Sequence, residues 1–411
     1  MASKLAPTLA RLILPAAFIL LFIYSTTLLY TPSKEEEPRA REEAVEKAEV
    51  EYLPPESCNL FKGKWVTDPN RKPLYDETCP FHRHAWNCLR NQRAHMDRIN
   101  SWTWVPEDCP LLRVDPEKFL RMMRNKNIGL VGDSLNENFL VSFVCILRRA
   151  DSGAKKWKKK GAWRGVYFPK FNVTVGYHRA VLLAKYVWLK LPVRRVSSDQ
   201  VKFKEIYRVD VDVPAEGWAG IADFYDVLVF NTGHWWNHDK FPWETPLVFF
   251  RAGKPIHPPL DMYEGLKVVL DSMVAHIQKN FPAKTLKFWR LQSPRHFHGG
   301  DWNQNGSCTF DEPLEEPQLD LWFDPSNNGV NKEARLLNQI VEKALKGTDI
   351  RLLDLTHLSE YRSDAHPAIW LGKKDAVAEW GEDCMHWCLP GVPDTWVDIL
   401  VQLIRYRFGR G

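Results

Sequence analysis

Short apolar segments alternate with helical patterns along most of this 411-residue chain. Strands are predicted at residues 127–131, 226–231, 285–290 and 350–355. Helices are predicted at residues 135–149, 261–281 and 331–346. Because parallel strands need a long crossover connection, usually a helix, this order predicts a parallel sheet with helices on both faces. The expected fold class is therefore α/β, with three layers.

Gly132-Asp133-Ser134 forms the turn between the first predicted strand and its helix. In open α/β sheets, ligands bind beyond the carboxyl ends of the strands, where Asn231 and Gly233 also fall. Gly132 permits a sharp turn, and the free N–H groups of a helix N-terminus suit a developing oxyanion. Ser134 is thus either a nucleophile or only the N-cap of the helix that follows.

Asp383 and His386 are three residues apart near the C-terminus. A Ser hydroxyl becomes nucleophilic when an imidazole takes its proton and a carboxylate orients that imidazole. One turn of chain can present both side chains on the same side, so the sequence predicts a triad with Ser134. Asp364 and His366 form a rival pair, because alternate residues of an extended segment share a face.

Residues 12–30 form an uncharged, apolar run that follows a basic N-terminus and precedes an acidic segment. At 1.5 Å per residue a helix of this length covers about 28 Å, close to the thickness of a bilayer core. We predict a transmembrane signal anchor; the alternative is a cleaved signal peptide, whose apolar core is shorter. The charge asymmetry predicts a cytoplasmic tail at residues 1–11. Residues 31–56 are rich in Glu, Arg, Ala and Pro, which predicts a disordered stem.

Residues 57–411 are expected to form the lumenal domain, with a Cys-rich lobe at 57–116 and an α/β catalytic core at 117–411. All eight cysteines lie in this domain: Cys58, Cys79, Cys88, Cys109, Cys145, Cys308, Cys384 and Cys388. An even number in an oxidising compartment predicts disulfides that staple the N-terminal lobe, although roughly a hundred pairings are open. The sequence shows no second closely spaced Cys or His pair to complete a zinc site, so we expect no metal.

The formal net charge of +5 does not indicate nucleic-acid binding, which needs a concentrated basic stripe. One lysine cluster at residues 155–160 is either a solvated loop or a surface for anionic glycans. Asn172 and Asn305 begin glycosylation sequons, which predicts a glycoprotein.

Further stretches accompany Gly132-Asp133-Ser134 and the segment at residues 383–391. They are Cys58-Asn59-Leu60-Phe61, Pro73-Leu74-Tyr75, Asn231-Thr232-Gly233-His234-Trp235-Trp236, Ser293-Pro294, Gly299-Gly300-Asp301-Trp302 and Asp364-Ala365-His366-Pro367. Together they resemble the plant trichome-birefringence-like family of polysaccharide O-acetyltransferases, whose catalytic domain is related to GDSL/SGNH esterases. The resemblance covers about residues 55–408.

The resemblance implies a Golgi-lumenal enzyme anchored as a single-pass type II membrane protein. Ser134 would be the nucleophile, His386 its base and Asp383 the carboxylate that orients His386. Acetyl groups would pass through acetyl-Ser134 to a cell-wall polysaccharide of the xylan, mannan, xyloglucan or pectin class. No bound cofactor is expected, but an acetyl donor is required, with acetyl-CoA as one candidate.

Oxyanion or substrate contacts are expected from Gly132, Asp133, Asn138, Asn231, Gly233 and His296. Trp235, Trp236 and Trp302 could provide stacking platforms for sugar rings. The chain departs from the family pattern at Glu137, where many members have Arg, and at Val397, where Asn is common. Two alternatives remain open: a polysaccharide acetylesterase with the same triad, and a non-catalytic glycan-binding protein.

Overall fold

The computed structural model describes residues 57–192, 203–326, 331–369, 371 and 381–409. Its strands in chain order are β1 (Gly63–Thr67), β2 (Trp102–Pro106), β3 (Asn127–Gly132), β4 (Lys155–Lys156), β5 (Arg164–Phe168), β6 (Val173–Arg179), β7 (Ala184–Pro192), β8 (Phe203–Pro214), β9 (Val227–Phe230), β10 (Leu247–Arg251), β11 (Lys254–Pro255), β12 (Leu286–Arg290) and β13 (Arg351–Leu353). The helices are α1 (Met96–Asn100), α2 (Pro116–Met122), α3 (Ser134–Leu147), α4 (Glu216–Ala219), α5 (Met262–Asn280), α6 (Glu316–Phe323), α7 (Glu333–Leu345), α8 (Thr356–Glu360) and α9 (Val392–Phe408).

A seven-stranded sheet in the order β13-β12-β9-β3-β6-β5-β4 forms the centre of the fold. The five strands from β13 to β6 are parallel, and β5 and β4 add antiparallel pairs at one edge. Ile128 on β3 lies beside Val227 on β9. This register brings the carboxyl ends of β3, β9 and β12 together at one edge.

Both faces of the central strands are buried. In β9, successive side chains pack alternately into two different hydrophobic cores. Val227 and Val229 pack into the core beneath α2, α3 and α9, whereas Leu228 and Phe230 pack into the core beneath α5 and α7. Adjacent side chains of a strand point to opposite faces, so an unbroken apolar strand needs a helical layer on each side. The predicted α/β fold, with helices on both faces of a parallel sheet, is confirmed.

A second sheet, in the order β11-β10-β8-β7, has no counterpart in the predicted elements. Its long strands β7 and β8 pair antiparallel, and much of β7 is exposed. Charged residues interrupt both strands, Lys in β7 and Lys, Glu, Arg and Asp in β8, so their pattern is weaker than that of the doubly buried strands. Helix α9 at the C-terminus was likewise not predicted.

Four disulfides join the eight cysteines in the pairs Cys58–Cys109, Cys79–Cys145, Cys88–Cys388 and Cys308–Cys384. The first closes the N-terminal segment around the antiparallel pair of strands β1 and β2. The second and third tie this segment to α3 and to the C-terminal region. The prediction of a disulfide-stapled N-terminal lobe is confirmed.

Within the described part of the chain, no helix combines the length and apolar character needed to cross a membrane. The predicted cytoplasmic tail, anchor and stem at residues 1–56 lie outside the described residues. Both sequon residues, Asn172 and Asn305, are exposed to solvent.

Asp398 on α9 links this helix to the N-terminal region. Its carboxylate accepts a hydrogen bond from the Val114 N–H at 2.9 Å and lies 3.7 Å from the Arg71 guanidinium. Burial raises the pKa of Asp398 to about 6, although the Arg71 charge and the Val114 N–H oppose this shift. The folded state therefore favours the protonated form of Asp398 more strongly than the unfolded state does.

We predict that Asp398→Asn removes a pH-dependent destabilisation. The folded pKa exceeds the unfolded one, so the stability that Asp398 contributes is lost as the pH rises from about 4 to about 6. Asn keeps the acceptor for Val114 and carries no charge, so the variant should be more stable at pH 7 by up to about 3 kcal/mol. Urea unfolding of both proteins between about pH 4 and pH 7 measures the difference in unfolding free energy. Equal pH slopes in the two proteins would contradict the prediction.

Candidate active site

Ser134 lies at the junction of β3 and α3. Gly132 has φ +146°, and a Cβ there would lie 2.0 Å from Asn231 Oδ1, so the turn requires glycine. Asp133 is the N-cap, accepting a hydrogen bond from the Leu135 N–H at 3.0 Å. Ser134 is therefore the first helical residue rather than the cap, which leaves its hydroxyl for other contacts. Its N–H belongs to the first turn, where helical N–H groups have no partner within the helix.

The three residues of the predicted triad meet in the structure. His386 Nε2 lies 2.7 Å from Ser134 Oγ, and His386 Nδ1 lies 2.9 Å from Asp383 Oδ2. Because the carboxylate accepts the Nδ1 proton, Nε2 is left bare and faces the Ser hydroxyl as a base. Ser134 is partly exposed, so a substrate can reach it, while Asp383 and His386 are largely buried.

Asp383 remains ionised despite its burial. Burial acts to raise the pKa of Asp383. The neighbouring His386 and the hydrogen bonds from the His386 and Met385 N–H groups lower this pKa by more than burial raises it, so the net shift is downward. The two N–H groups lie 3.0 and 3.2 Å from Asp383 Oδ1. The same carboxylate thus shapes the turn and orients the imidazole.

Residues 383–389, which we call the His386 loop, are fastened at both ends. Cys384 bonds to Cys308 and Cys388 bonds to Cys88, one on each side of His386. Asn138 on α3 donates to the Trp387 carbonyl and accepts from the Trp387 N–H, both at 3.1 Å. The loop is therefore fixed to the same helix that carries Ser134.

Trp86 of the N-terminal lobe covers the His386 imidazole. Its ring stacks on His386 with centroids 4.8 Å apart, and it is itself buried. The Leu389 N–H donates to the Trp86 carbonyl at 2.9 Å, and the Cys88 disulfide lies two residues further along. Sequence reasoning missed Trp86, since nothing in the sequence distinguishes it from the other tryptophans.

Glu137, the departure from the family pattern, is compensated within the fold. Its buried carboxylate forms ion pairs with Arg83 and Arg164, each at 3.1 Å. Arg83 also lies over the ring of Trp86 at 4.8 Å. Two arginines therefore balance the negative charge that Glu137 introduces, and one of them supports the residue that covers His386.

A buried polar network lies behind the nucleophile. Asp133 Oδ1 accepts from Asn231 Nδ2 at 2.7 Å, and Asn231 Oδ1 accepts from the Asp133 N–H at 3.2 Å. Arg290 at the end of β12 donates to Asn136 Oδ1 at 3.1 Å. Burial lowers the pKa of Arg290 to about 10, while Asp133 acts to raise it. The bonds of Asp133 to Asn231 and of Arg290 to Asn136 therefore hold the start of α3 against the ends of β9 and β12.

Three of the predicted substrate contacts have other roles. Asn138 holds the Trp387 backbone and Asn231 holds Asp133, so neither amide is directed at an oxyanion. His296 is fully buried, and both of its ring nitrogens are bonded inside the protein. Gly233 does lie at the edge of the site, where a Cβ would collide with the Gln292 amide at 2.7 Å. Helical periodicity indicates which face carries Asn138 but not its bonding partner.

The rival pair does not form a second triad. Asp364 forms a buried ion pair with Arg362 at 2.8 Å. His366 Nδ1 lies 2.7 Å from the His386 carbonyl, and its Nε2 lies 2.7 Å from His296 Nδ1. His366 therefore supports the backbone of His386.

The directions of these bonds set the number of protons on His296 and His366. His296 Nε2 lies 2.8 Å from the Glu360 carbonyl, and a carbonyl only accepts, so each ring donates outward. If both rings were neutral, His296 Nδ1 and His366 Nε2 would both lack a proton and would face each other at 2.7 Å, where their lone pairs repel. One further proton in the inner contact would satisfy all three bonds and would give the pair a single positive charge.

Charged groups of both signs surround the pair. Glu360, Asp364 and Arg362 face His296, and Asp383 and His386 face His366. Burial lowers the pKa of both imidazoles and so opposes the shared proton, whereas the carboxylates of Glu360, Asp364 and Asp383 favour it.

Of the predicted stacking tryptophans, Trp236 is buried and donates to Thr232 Oγ1, whereas Trp235 and Trp302 are partly exposed. Cys308, Glu382 and Cys384 lie close enough to suggest a metal site. The two sulfurs form a disulfide, so neither is a thiolate ligand.

The parallel sheet, Ser134 at a strand-to-helix turn and the Asp-x-x-His turn together indicate an acyl-esterase or acyltransferase type of enzyme with an SGNH-like fold. Residues 111–403 match the GDSL/SGNH-like acyl-esterase family found in Pmr5 and Cas1p, and residues 56–110 match the PMR5 N-terminal domain. The chain belongs to this family, and within it to the trichome-birefringence-like proteins.

Three relatives from Arabidopsis thaliana illustrate the similarity. The chain is 71% identical to the protein trichome birefringence-like 12, over 85% of this chain and 86% of that protein. It is 44% identical to trichome birefringence-like 13, over 84% and 83% of the two chains. It is 33% identical to trichome birefringence-like 40, over 82% and 85%.

Loss of the Cys88–Cys388 disulfide should lower both stability and reactivity. We expect Cys88→Ala/Cys388→Ala to cost about 2–5 kcal/mol of unfolding free energy and to slow fluorophosphonate labelling of Ser134, because Trp86 and His386 lose their covalent link. The matched control, Cys58→Ala/Cys109→Ala, should lower stability without slowing labelling of the folded protein. Equal labelling rates in parent and Cys88 variant would argue against the role given to this link.

The histidine pair predicts a specific proton count. In ¹⁵N-histidine NMR of the parent, with rings assigned through single His→Gln variants, three of the four ring nitrogens of His296 and His366 should carry protons. His366→Phe should slow Ser134 labelling, since the His386 carbonyl loses its donor, whereas the partly exposed His357→Gln should not. Two bare nitrogens in the parent spectrum would disprove the shared proton.

Proposed function

We propose that this protein transfers acetyl groups to hydroxyls of a plant cell-wall polysaccharide through an acetyl-Ser134 intermediate. The observation that carries the proposal is the continuous hydrogen-bonded path from Ser134 Oγ through His386 to Asp383, with contacts of 2.7 and 2.9 Å. Family membership supports acyl chemistry on polysaccharides. The nature of the polysaccharide, whether xylan, mannan, xyloglucan or pectin, stays open within the proposal.

In the first half-reaction, His386 Nε2 takes the Ser134 proton as Oγ attacks the acetyl carbonyl of the donor. The negative oxygen that forms lies at the N-terminus of α3, where the Ser134 N–H and the helix dipole stabilise it. The imidazolium returns its proton to the departing group of the donor. Acetyl-Ser134 and neutral His386 remain.

In the second half-reaction, the acceptor hydroxyl gives its proton to His386 Nε2 and attacks the acetyl carbon. The Oγ–carbon bond then breaks, and Ser134 Oγ recovers the proton from His386. Asp383 stays ionised throughout and stabilises the imidazolium in each half-reaction. The donor is required but not fixed by this scheme; acetyl-CoA is one candidate.

An acetylesterase is the second candidate function, because the family description names acyl-esterases. Water in place of the sugar hydroxyl would complete the same cycle. Exclusion of water from acetyl-Ser134 would favour transfer, and Trp86 over His386 provides part of such a cover. A non-catalytic glycan-binding role is less consistent with a nucleophile and base already in hydrogen-bonding contact.

We further propose a Golgi-lumenal location with a single-pass type II anchor at residues 12–30. The apolar run and its charge asymmetry support this topology. Four disulfides fit an oxidising compartment, and the two exposed sequons would be accessible to glycosylation there.

We predict that Ser134→Ala, His386→Ala and Asp383→Asn each lower acetyl transfer by at least about a thousandfold, because each removes one member of the proton path. The assay incubates the full-length chain with acetyl-CoA or an activated acetyl ester and with oligosaccharides of each polysaccharide class. Mass spectrometry counts acetyl groups on the sugar, and free acetate is measured in parallel.

Ser326→Ala, at an exposed serine, serves as the control and should retain parental activity. Acetate release without acetylated sugar would favour the esterase. Full activity of Ser134→Ala would remove the covalent mechanism.

A further inference from the structure

A cleft of about 500 Å³ opens beside the candidate active site. Gly233 and His234, just beyond the carboxyl end of β9, line it together with residues between 236 and 247, the start of α5 and part of α7. Asn231, two residues before Gly233, forms hydrogen bonds with Asp133, the residue next to Ser134, so this part of the lining lies near the triad. A ligand in this cleft would therefore extend away from Ser134.

His234 contributes a neutral imidazole to the lining of the cleft. The side chain is 8% exposed, and its Nε2 is buried with no hydrogen-bond partner among the described residues. Burial and the nearby Arg295 and Arg290 charges lower the pKa of His234 well below its usual value, so the ring is neutral. This residue therefore adds no positive charge that could attract an anionic ligand.

The described lining of the cleft is acidic. Asp239, Asp261, Asp301 and Glu333 contribute four carboxylates, whereas Arg295 contributes one guanidinium. Arg295 is itself engaged, at 3.3 Å from Asp301 and 3.2 Å from Glu333. If the histidines are not counted, these five charged residues give the lining a net formal charge of −3. An anionic ligand here would meet like charges, while carboxylates readily accept hydrogen bonds from neutral hydroxyls.

An aromatic platform lies at the outer end of the cleft. Trp243 is 74% exposed, and one face of its ring stacks on His238 with centroids 3.6 Å apart. Stacking on His238 orients the ring and leaves its other face for a ligand. The Lys240 ammonium faces the rings of Trp235 and Trp302.

We propose that this cleft binds an uncharged stretch of the acceptor glycan, with a sugar ring on Trp243 and its hydroxyls donating to the acidic lining. This inference rests on the proposed transferase function and narrows its acceptor to polysaccharides that present neutral sugars next to the acetylated residue. Uronate-rich chains are excluded by repulsion. By the same argument, a donor that carries phosphates does not enter through this cleft.

The test measures binding rather than turnover. Full-length protein is titrated with neutral xylan or mannan hexasaccharides and with a galacturonan hexasaccharide, and affinity is followed by calorimetry at low and high salt. We expect the neutral sugars to bind at least about tenfold more tightly than the galacturonan, with a gap that narrows as salt screens the repulsion.

Two variants address the named groups. Trp243→Ala should weaken neutral-sugar binding by at least about fivefold, while the control Trp188→Ala, at a tryptophan that is 50% exposed on β7, should have no effect. Asp239→Lys should improve galacturonan binding and so reduce the difference in affinity between the neutral sugars and the galacturonan. Galacturonan bound as tightly as the neutral sugars by the parent, or unchanged neutral-sugar affinity in Trp243→Ala, would overturn the inference.

Failure of this inference is distinguishable from failure of the proposed function. If fluorophosphonate labels Ser134 in the parent but not in Ser134→Ala, and acetyl transfer occurs without the predicted discrimination, the cleft assignment fails and the transferase stands. If neutral sugars bind through Trp243 but no acetyl transfer or acetate release is detected, the binding site stands and the proposed catalysis fails.

Discussion

The contact on which the rest of the site depends is the 2.7 Å hydrogen bond between Ser134 Oγ and His386 Nε2. The two residues are 252 positions apart, so the fold must hold two distant segments within bonding distance. It does so from several sides at once: two disulfides flank His386, Asn138 clips the Trp387 backbone to α3, and His366 donates to the His386 carbonyl. Each constraint removes freedom from the His386 loop before any substrate binds, which is the preorganisation that proton transfer requires.

The sheet provides the other half of this arrangement. The carboxyl ends of β3, β9 and β12 place Asp133, Asn231 and Arg290 side by side beneath the nucleophile. Burying Asp133 and Arg290 costs desolvation, and their mutual attraction and hydrogen bonds offset that cost. The network thereby favours a single position for the start of α3, and with it for Ser134.

The N-terminal lobe belongs functionally to the site. Trp86 stacks on His386, and Arg83 reaches past Trp86 to neutralise the buried Glu137 on α3. The disulfide from Cys88 to Cys388 keeps this lobe against the His386 loop. A family member with Arg in place of Glu137 would not form these two ion pairs, so the charge change at this position involves the lobe as well as the helix.

The sequence by itself determined what is local: strands and helices from their periodicity, the turn at Gly132, and the Asp383–His386 spacing that one turn of chain can satisfy. It also identified Ser134 as a potential nucleophile, because the end of a buried strand and the start of a helix are both visible in the pattern. Tertiary structure alone decided which cysteines pair, that Trp86 covers His386, that Asn138 and His296 form hydrogen bonds to protein groups, and that β7 and β8 form a second sheet. Those outcomes depend on contacts between segments up to 300 residues apart. Periodicity carries no information about such contacts, since it reports which face of an element is buried and not which partner buries it.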